Sequence, residues 1–67
     1  MNLKIEVERE ADGRWIADVV DLSGCLAYGE TQADALAKAK ALALRVLADR
    51  LEHGEPVPAG DELFSIA

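Results

Sequence analysis

The sequence predicts a small α+β domain in which an antiparallel sheet of three to four strands carries one long helix on one face, in the order β-β-β-α-β. Three observations support this prediction. Apolar residues alternate with charged ones near the start of the chain, as they do in strands. In the second half they recur every three to four residues, as they do in helices. An Asp-Leu-Ser-Gly-Cys segment at positions 21–25 separates the two patterns.

The first two predicted strands form a hairpin. Residues 3–8 alternate apolar and charged side chains, which is typical of a strand with one wet face. Asp12-Gly13 suits the positive φ angles of a tight hairpin turn. Residues 14–20, which are rich in Trp, Ile and Val, are predicted to form the returning strand.

The register of this hairpin depends on the length of its loop. With a two-residue loop, Val7 lies opposite Asp18, and one face carries Leu3, Ile5, Val7, Ile16 and Val20. The other face then carries Trp15, Ala17 and Val19 beside the glutamates of the first strand. A loop longer or shorter by one residue exchanges the faces of the second strand. In either register this strand is apolar on both sides, so we expect the face without the helix to meet another subunit or a partner.

The rest of the chain is predicted to be strand, helix and strand. Residues 25–29 are short and apolar and follow a turn at Ser23-Gly24. Thr31 is predicted to be the N-cap of a helix that runs from residue 32 to about 53 and stops at Gly54. One helix face is predicted to be apolar and comprises Leu36, Ala39, Ala43, Val46 and Leu47. Residues 63–66 have the composition of a short edge strand, which pairs within the chain or adds to a neighbouring subunit.

Length and charge narrow the class of protein. The chain has 67 residues and one cysteine, so we expect a single domain over residues 1–67 without an internal disulfide. Domains this small are often stabilised by self-association, and we therefore expect a homo-oligomer, either a dimer or a tetramer. A net charge of −6 argues against nucleic-acid binding and favours a basic partner. The absence of a long apolar run or an export signal predicts a cytoplasmic protein with no membrane contact.

No residues form a recognisable catalytic, metal-binding or cofactor-binding constellation, so we expect a protein that is not an enzyme. Cys25, the only thiol, is expected to be packed, because free cysteine is commonly buried. His53, the only histidine, is expected to stabilise the end of the helix. The alternating glutamates of the first strand are interpreted as a solvated face, and Asp18 falls on the apolar face in the two-residue register.

The order and spacing of several short motifs resemble the HicB-like antitoxin family. These motifs are Arg14-Trp15, Asp21-Leu22-Ser23-Gly24-Cys25, Tyr28-Gly29-Glu30-Thr31, Ala35-Leu36 and Gly54-Glu55-Pro56-Val57-Pro58. The residues interpreted as the structural motif of the family are Asp21, Leu22, Ser23, Gly24, Cys25, Gly29 and Thr31. Ser23 stands where the family usually has proline. The chain ends at Ala67 without the DNA-binding segment that many members carry, so it resembles a short, stand-alone member.

The resemblance implies a partial RNase-H-like or double-stranded-RNA-binding-domain-like fold. It also implies a protein-binding module that neutralises a small basic mRNA-cleaving toxin by covering the toxin's active surface. The alternative is an orphan homo-oligomeric protein of the same fold, with no toxin partner and no catalytic activity. The residues expected at the interface are Trp15, Ala17, Val19, Leu63, Phe64 and Ile66. Trp15 is interpreted either as an interface anchor or as a core residue.

Overall fold

The computed structural model describes residues 3–55 and 64–66 of the chain. Its elements are β1 (Leu3–Arg9), β2 (Trp15–Val19), β3 (Leu26–Gly29), α1 (Gln32–Glu52) and β4 (Phe64–Ile66). The strands form one sheet in the order β3-β2-β1-β4. Neighbours β1–β2 and β2–β3 are antiparallel, and β4 is parallel to β1. The predicted α+β class, an antiparallel sheet with one helix, is confirmed, while the finer likeness to an RNase-H-like fold stays a prediction.

The loop between β1 and β2 contains three residues, one more than the two-residue register assumes. The N–H of Glu10 donates to the carbonyl of Arg14 at 2.7 Å, so that residues 11–13 form the loop. The N–H of Gly13 donates to the carbonyl of Glu10 at 3.0 Å and closes a turn inside this loop. Gly13 has a φ of 91°, which a residue with a side chain rarely adopts. Ala11 and Asp12 are therefore the central residues of the turn, and Gly13 forms a glycine bulge after it, in place of a two-residue turn.

The longer loop exchanges the faces of β2. Ile5 lies opposite Val19 and Val7 lies opposite Ala17, so these residues share one face of the sheet. The two-residue register, in which Val7 faces Asp18, is therefore wrong. Because side chains alternate with a period of two, this single residue determines which side chains of β2 meet the helix.

The core lies between α1 and the sheet face that we name the inner face. Ten residues are buried there: Leu3, Ile5, Ala17, Val19, Leu22, Cys25, Ala35, Ala39, Ala43 and Leu47. The helical members recur every four residues, and three of them are alanines, so the backbone of α1 lies close to the sheet. Gly29 makes the closest approach, because a Cβ atom added there would lie 2.4 Å from the backbone nitrogen of Ala35.

Both ends of α1 carry the predicted caps. The hydroxyl of Thr31 accepts a hydrogen bond from the N–H of Asp34 at 3.0 Å. At the other end, the N–H of Gly54 donates to the carbonyl of Leu51 and the N–H of Glu55 donates to the carbonyl of Arg50. This pair of bonds is a Schellman motif, which ends the helix. The predicted helix boundaries are therefore confirmed to within one residue.

Candidate protein-binding face

The sheet face opposite α1 is uncovered, and we name it the outer face. It carries side chains from all three antiparallel strands: Lys4, Glu6, Glu8, Ile16, Asp18, Val20, Leu26 and Tyr28. The alternation of buried and exposed residues along β1 and β2 supports this division, since Leu3, Ile5, Ala17 and Val19 are fully buried on the inner face. The outer face is the surface that the sequence predicts for a subunit or partner, but with a different set of residues.

One half of the outer face is apolar. Val20, Leu26 and Tyr28 expose 43%, 40% and 41% of their surfaces. Tyr28 lies opposite Ile16 in the β2–β3 ladder, and Leu26 lies opposite Asp18. A contiguous group of exposed apolar side chains beside polar ones marks a surface that binds another molecule more often than scattered single residues do.

The other half of the outer face is acidic. Glu6 lies directly opposite Asp18, and Glu8 lies opposite Ile16. An open depression at this point is lined by Glu6, Val7, Glu8, Ile16 and Asp18. No ion pair within residues 3–55 and 64–66 includes Glu6, Glu8 or Asp18. Like charges directly opposite each other destabilise a sheet, so the Glu6–Asp18 pair lowers the stability of the fold.

Tyr28 is held in place by a cation above its ring. The guanidinium carbon of Arg14 lies 4.6 Å from the ring centroid of Tyr28. The Nε of Arg14 donates to the carboxylate of Asp12 at 2.7 Å, which keeps the guanidinium over the hairpin loop. Hydrogen bonds from the backbone and side chain of Arg14 lower the pKa of Asp12. The hairpin loop thus orders one aromatic side chain at the rim of the outer face.

Three of the predicted interface residues lie on the inner face. Ala17 and Val19 are fully buried under α1, so they belong to the core and the prediction that they meet a partner is wrong. Trp15 is half-buried and packs against the same core, with the guanidinium of Arg9 5.9 Å from its ring centroid. The physical reason is the extra loop residue, which exchanges the two faces of β2 relative to the two-residue register.

The remaining predicted interface residues are near the end of the chain. Phe64 and Ile66 are in β4, where Phe64 packs against the core and Ile66 is 53% exposed. Leu63 lies outside the described residues.

The outer-face residues that the sequence did not predict are Ile16, Val20, Leu26 and Tyr28. The length of the Ala11-Asp12-Gly13 loop identifies Ile16 and Val20, because it determines which face of β2 they occupy. Leu26 and Tyr28 then follow from the pairing of β3 with β2.

The Asp-Leu-Ser-Gly-Cys segment has a structural role. The carboxylate of Asp21 accepts a hydrogen bond from the N–H of Lys4 at 2.8 Å, which ties the segment to β1. Leu22 and Cys25 are buried at the end of the core, whereas Ser23 and Gly24 between them are exposed. Two successive turns, closed by the N–H groups of Leu22 and Cys25, carry the chain from β2 to β3.

Cys25 and His53, the thiol and the imidazole singled out from the sequence, have different neighbours in the structure. Cys25 is a free, buried thiol, and its sulfur lies 4.0 Å from the carbonyl oxygen of Ala39. His53 is exposed at the C-cap of α1, with its Nδ1 2.7 Å from the carbonyl oxygen of Asp49. Among the described residues, no three His, Cys, Asp or Glu side chains are grouped so as to hold a metal ion. In the same part of the chain, no helix combines the length and apolar character needed to cross a membrane.

Comparisons with models of known protein families, with curated proteins and with solved structures find no match for this chain.

Proposed function

We propose that this chain is a HicB-like, antitoxin-type protein-binding module that neutralises a small basic mRNA-cleaving toxin by covering the toxin's active surface. The observation that carries the proposal is the outer face, where exposed apolar side chains adjoin the carboxylates of Glu6, Glu8 and Asp18. The motifs that resemble the HicB-like family support the same function.

Charge complementarity is the first physical argument for this function. A protein that binds RNA presents lysines and arginines to the phosphates. The carboxylates of the outer face offer alternative partners to those cations, so that the antitoxin competes directly with the messenger. The net charge of −6 adds a long-range attraction, which accelerates encounter at low ionic strength.

The apolar half of the outer face supplies the second argument. Charged residues alone form salt-sensitive and short-lived complexes, whereas a stable interface needs a water-excluding centre. Leu26 and Tyr28 offer such a centre beside the carboxylates. Tyr28 is the strongest candidate for an anchor, because tyrosine is enriched among residues that dominate binding energy and Arg14 restricts its ring.

The test is a binding measurement between this chain and a small basic protein encoded beside it. We expect Glu6→Gln/Glu8→Gln to weaken binding about tenfold at low salt, because two attractive charges are lost. The matched control is Glu30→Gln/Glu55→Gln, which removes the same charge at exposed positions outside the outer face. Titration calorimetry at two salt concentrations measures both variants, and an RNA-cleavage assay checks that binding inhibits the toxin.

A second pair of variants tests the apolar half. Tyr28→Ala is expected to weaken binding more than Leu51→Ala, although Leu51 on α1 is the more exposed side chain. Circular dichroism verifies that both variants keep the fold. Equal effects of the two charge variants, or no complex between the two purified proteins, would contradict the proposal.

A further inference from the structure

A second apolar surface lies on α1, on the side turned away from the sheet. Five residues follow one another there at alternating intervals of four and three positions, and we name them the helix seam: Ala37, Ala41, Leu44, Ala48 and Leu51. All five are exposed, and Leu44 and Leu51 expose 50% and 60% of their surfaces. The seam is separate from the residues of α1 that pack on the sheet, which are Ala35, Ala39, Ala43 and Leu47.

The spacing of the helix seam is that of a coiled coil. Alternating intervals of four and three keep apolar side chains in line along one side of a helix, where they can pack into the gaps of a second helix. A helix that covers only one sheet needs a single apolar face. α1 has two, so its composition is explained by burial on both sides.

We propose that two copies of this chain associate through the helix seam, with their α1 helices antiparallel. A two-fold axis close to residue 46 places Leu51 of one copy against Ala41 of the other. It also places Leu44 against Ala48, so that a large residue meets a small one at each of these contacts, while Ala37 faces the chain beyond the end of the opposite helix. The seam is therefore complementary in shape to itself, which is the requirement for a two-fold symmetric interface.

The charges beside the seam fit the same arrangement. In an antiparallel pair the residues that flank the seam on one side face each other. This places Lys38, whose Nζ lies 3.0 Å from the Asp34 carboxylate of its own chain, opposite Glu52 of the other copy, twice. The two Arg45 side chains come together near the axis, with Asp49 of the opposite copy within one turn. A parallel pair would instead place Lys40 beside Arg45, two like charges, on both sides of the seam. The antiparallel pair thus has two attractive contacts against one like-charge contact, whereas the parallel pair has two like-charge contacts, so the flanking charges favour the antiparallel orientation.

The experiment is sedimentation of the full chain over a range of concentrations, with a matched pair of variants. We expect a reversible dimer with a dissociation constant on the order of micromolar, because the seam is short and contains only two large apolar side chains, Leu44 and Leu51. Leu44→Lys introduces a charge into the seam and is expected to give a monomer that retains its helix by circular dichroism. Leu26→Lys introduces the same charge on the outer face and is expected to leave the dimer unchanged.

A charge exchange tests the antiparallel orientation. Lys38→Glu alone and Glu52→Lys alone are each expected to weaken the dimer several-fold, and the double variant is expected to restore it. A chain that remains monomeric at every concentration would overturn the proposal, as would a dimer that Leu26→Lys disrupts and Leu44→Lys does not. A double variant that remains as weak as the single ones would overturn the antiparallel pairing. None of these outcomes depends on toxin binding, so this inference and the proposed function can fail separately.

Discussion

Cys25 is a free thiol that belongs to the core. Its side chain is 2% exposed and closes the end of the core between β3 and the middle of α1. Burial, and after it the negative charge of Asp18, raises the pKa of the thiol above its usual value of 9.0. The thiol is therefore protonated at neutral pH, and a protonated thiol is a weak nucleophile.

The raised pKa predicts a loss of stability in alkaline solution. Because folding keeps the thiol of Cys25 protonated, its contribution is complete below the unfolded-state value of 9.0 and is lost as the pH rises through the higher folded-state pKa. The free energy of unfolding of the native chain should therefore fall more steeply as the pH rises above about 8 than that of Cys25→Ala. Urea unfolding at several pH values measures both slopes, and parallel slopes would contradict the prediction.

At the scale of elements, the helix could be predicted from the sequence but the hairpin register could not. Thr31 and Gly54 end α1 through hydrogen bonds to residues three positions away, and apolar residues recur with a helical period between them. The Asp12-Gly13 turn is different, because an aspartate followed by glycine fits both a two-residue loop and a three-residue loop. The choice depends on the contacts of both strands, among them the burial of Val19 opposite Ile5.

The residues of the candidate interface differ from the predicted ones for the same reason. Trp15, Ala17 and Val19 have the apolar composition of an interface, and no local feature distinguishes them from Ile16 and Val20 on the opposite face. The expectation that the face without the helix meets another subunit or a partner needs no register. It stays a prediction, although the apolar side chains of Val20, Leu26 and Tyr28 are exposed on that face. Which side chains lie on that face depends on the register. Because side chains alternate with a period of two, one extra residue in the loop moves all of those on β2 to the other face.

The contact between β3 and α1 depends on Gly29. A methyl group there would lie 2.4 Å from the backbone nitrogen of Ala35, and backbone atoms of a capped helix have little freedom to move. Gly29→Ala should therefore lower the free energy of unfolding by about 2 kcal/mol or more. Gly13→Ala is the comparison, because Gly13 has a positive φ but an added Cβ meets nothing closer than 4.0 Å. That variant should cost about 1 kcal/mol, and a larger loss for Gly13→Ala in urea unfolding would show that the strand–helix contact is not the tighter constraint.

At the scale of the whole molecule, acidity works against folding and, under the proposed function, in favour of binding a basic partner. The ion pairs among the described residues are exposed, and pairs of this kind contribute little to stability. Repulsion within a chain of net charge −6 is therefore only weakly offset, and on the outer face it is concentrated at Glu6, Glu8 and Asp18. A basic partner that covers this face removes the repulsion, so binding and stability should rise together.

Because repulsion among its carboxylates opposes folding, the protein should become more stable as salt is added. An increase from about 0.01 M to about 0.15 M shortens the screening length from about 30 Å to about 8 Å, which weakens the repulsion among the carboxylates. The thermal midpoint should rise, and it should rise less in Glu6→Gln/Glu8→Gln than in Glu30→Gln/Glu55→Gln. Thermal scans followed by circular dichroism provide the midpoints, and a midpoint that falls with salt would contradict the prediction.

The division of the sheet into two faces also separates the two ultraviolet chromophores of the chain. The only tryptophan, Trp15, packs against the core on the inner face, and the only tyrosine, Tyr28, stands on the outer face. Emission from the indole therefore follows the loss of the folded core. The absorbance of the Tyr28 phenol changes when a molecule binds to the outer face. The native protein thus carries separate optical probes for unfolding and for binding, and neither requires a label.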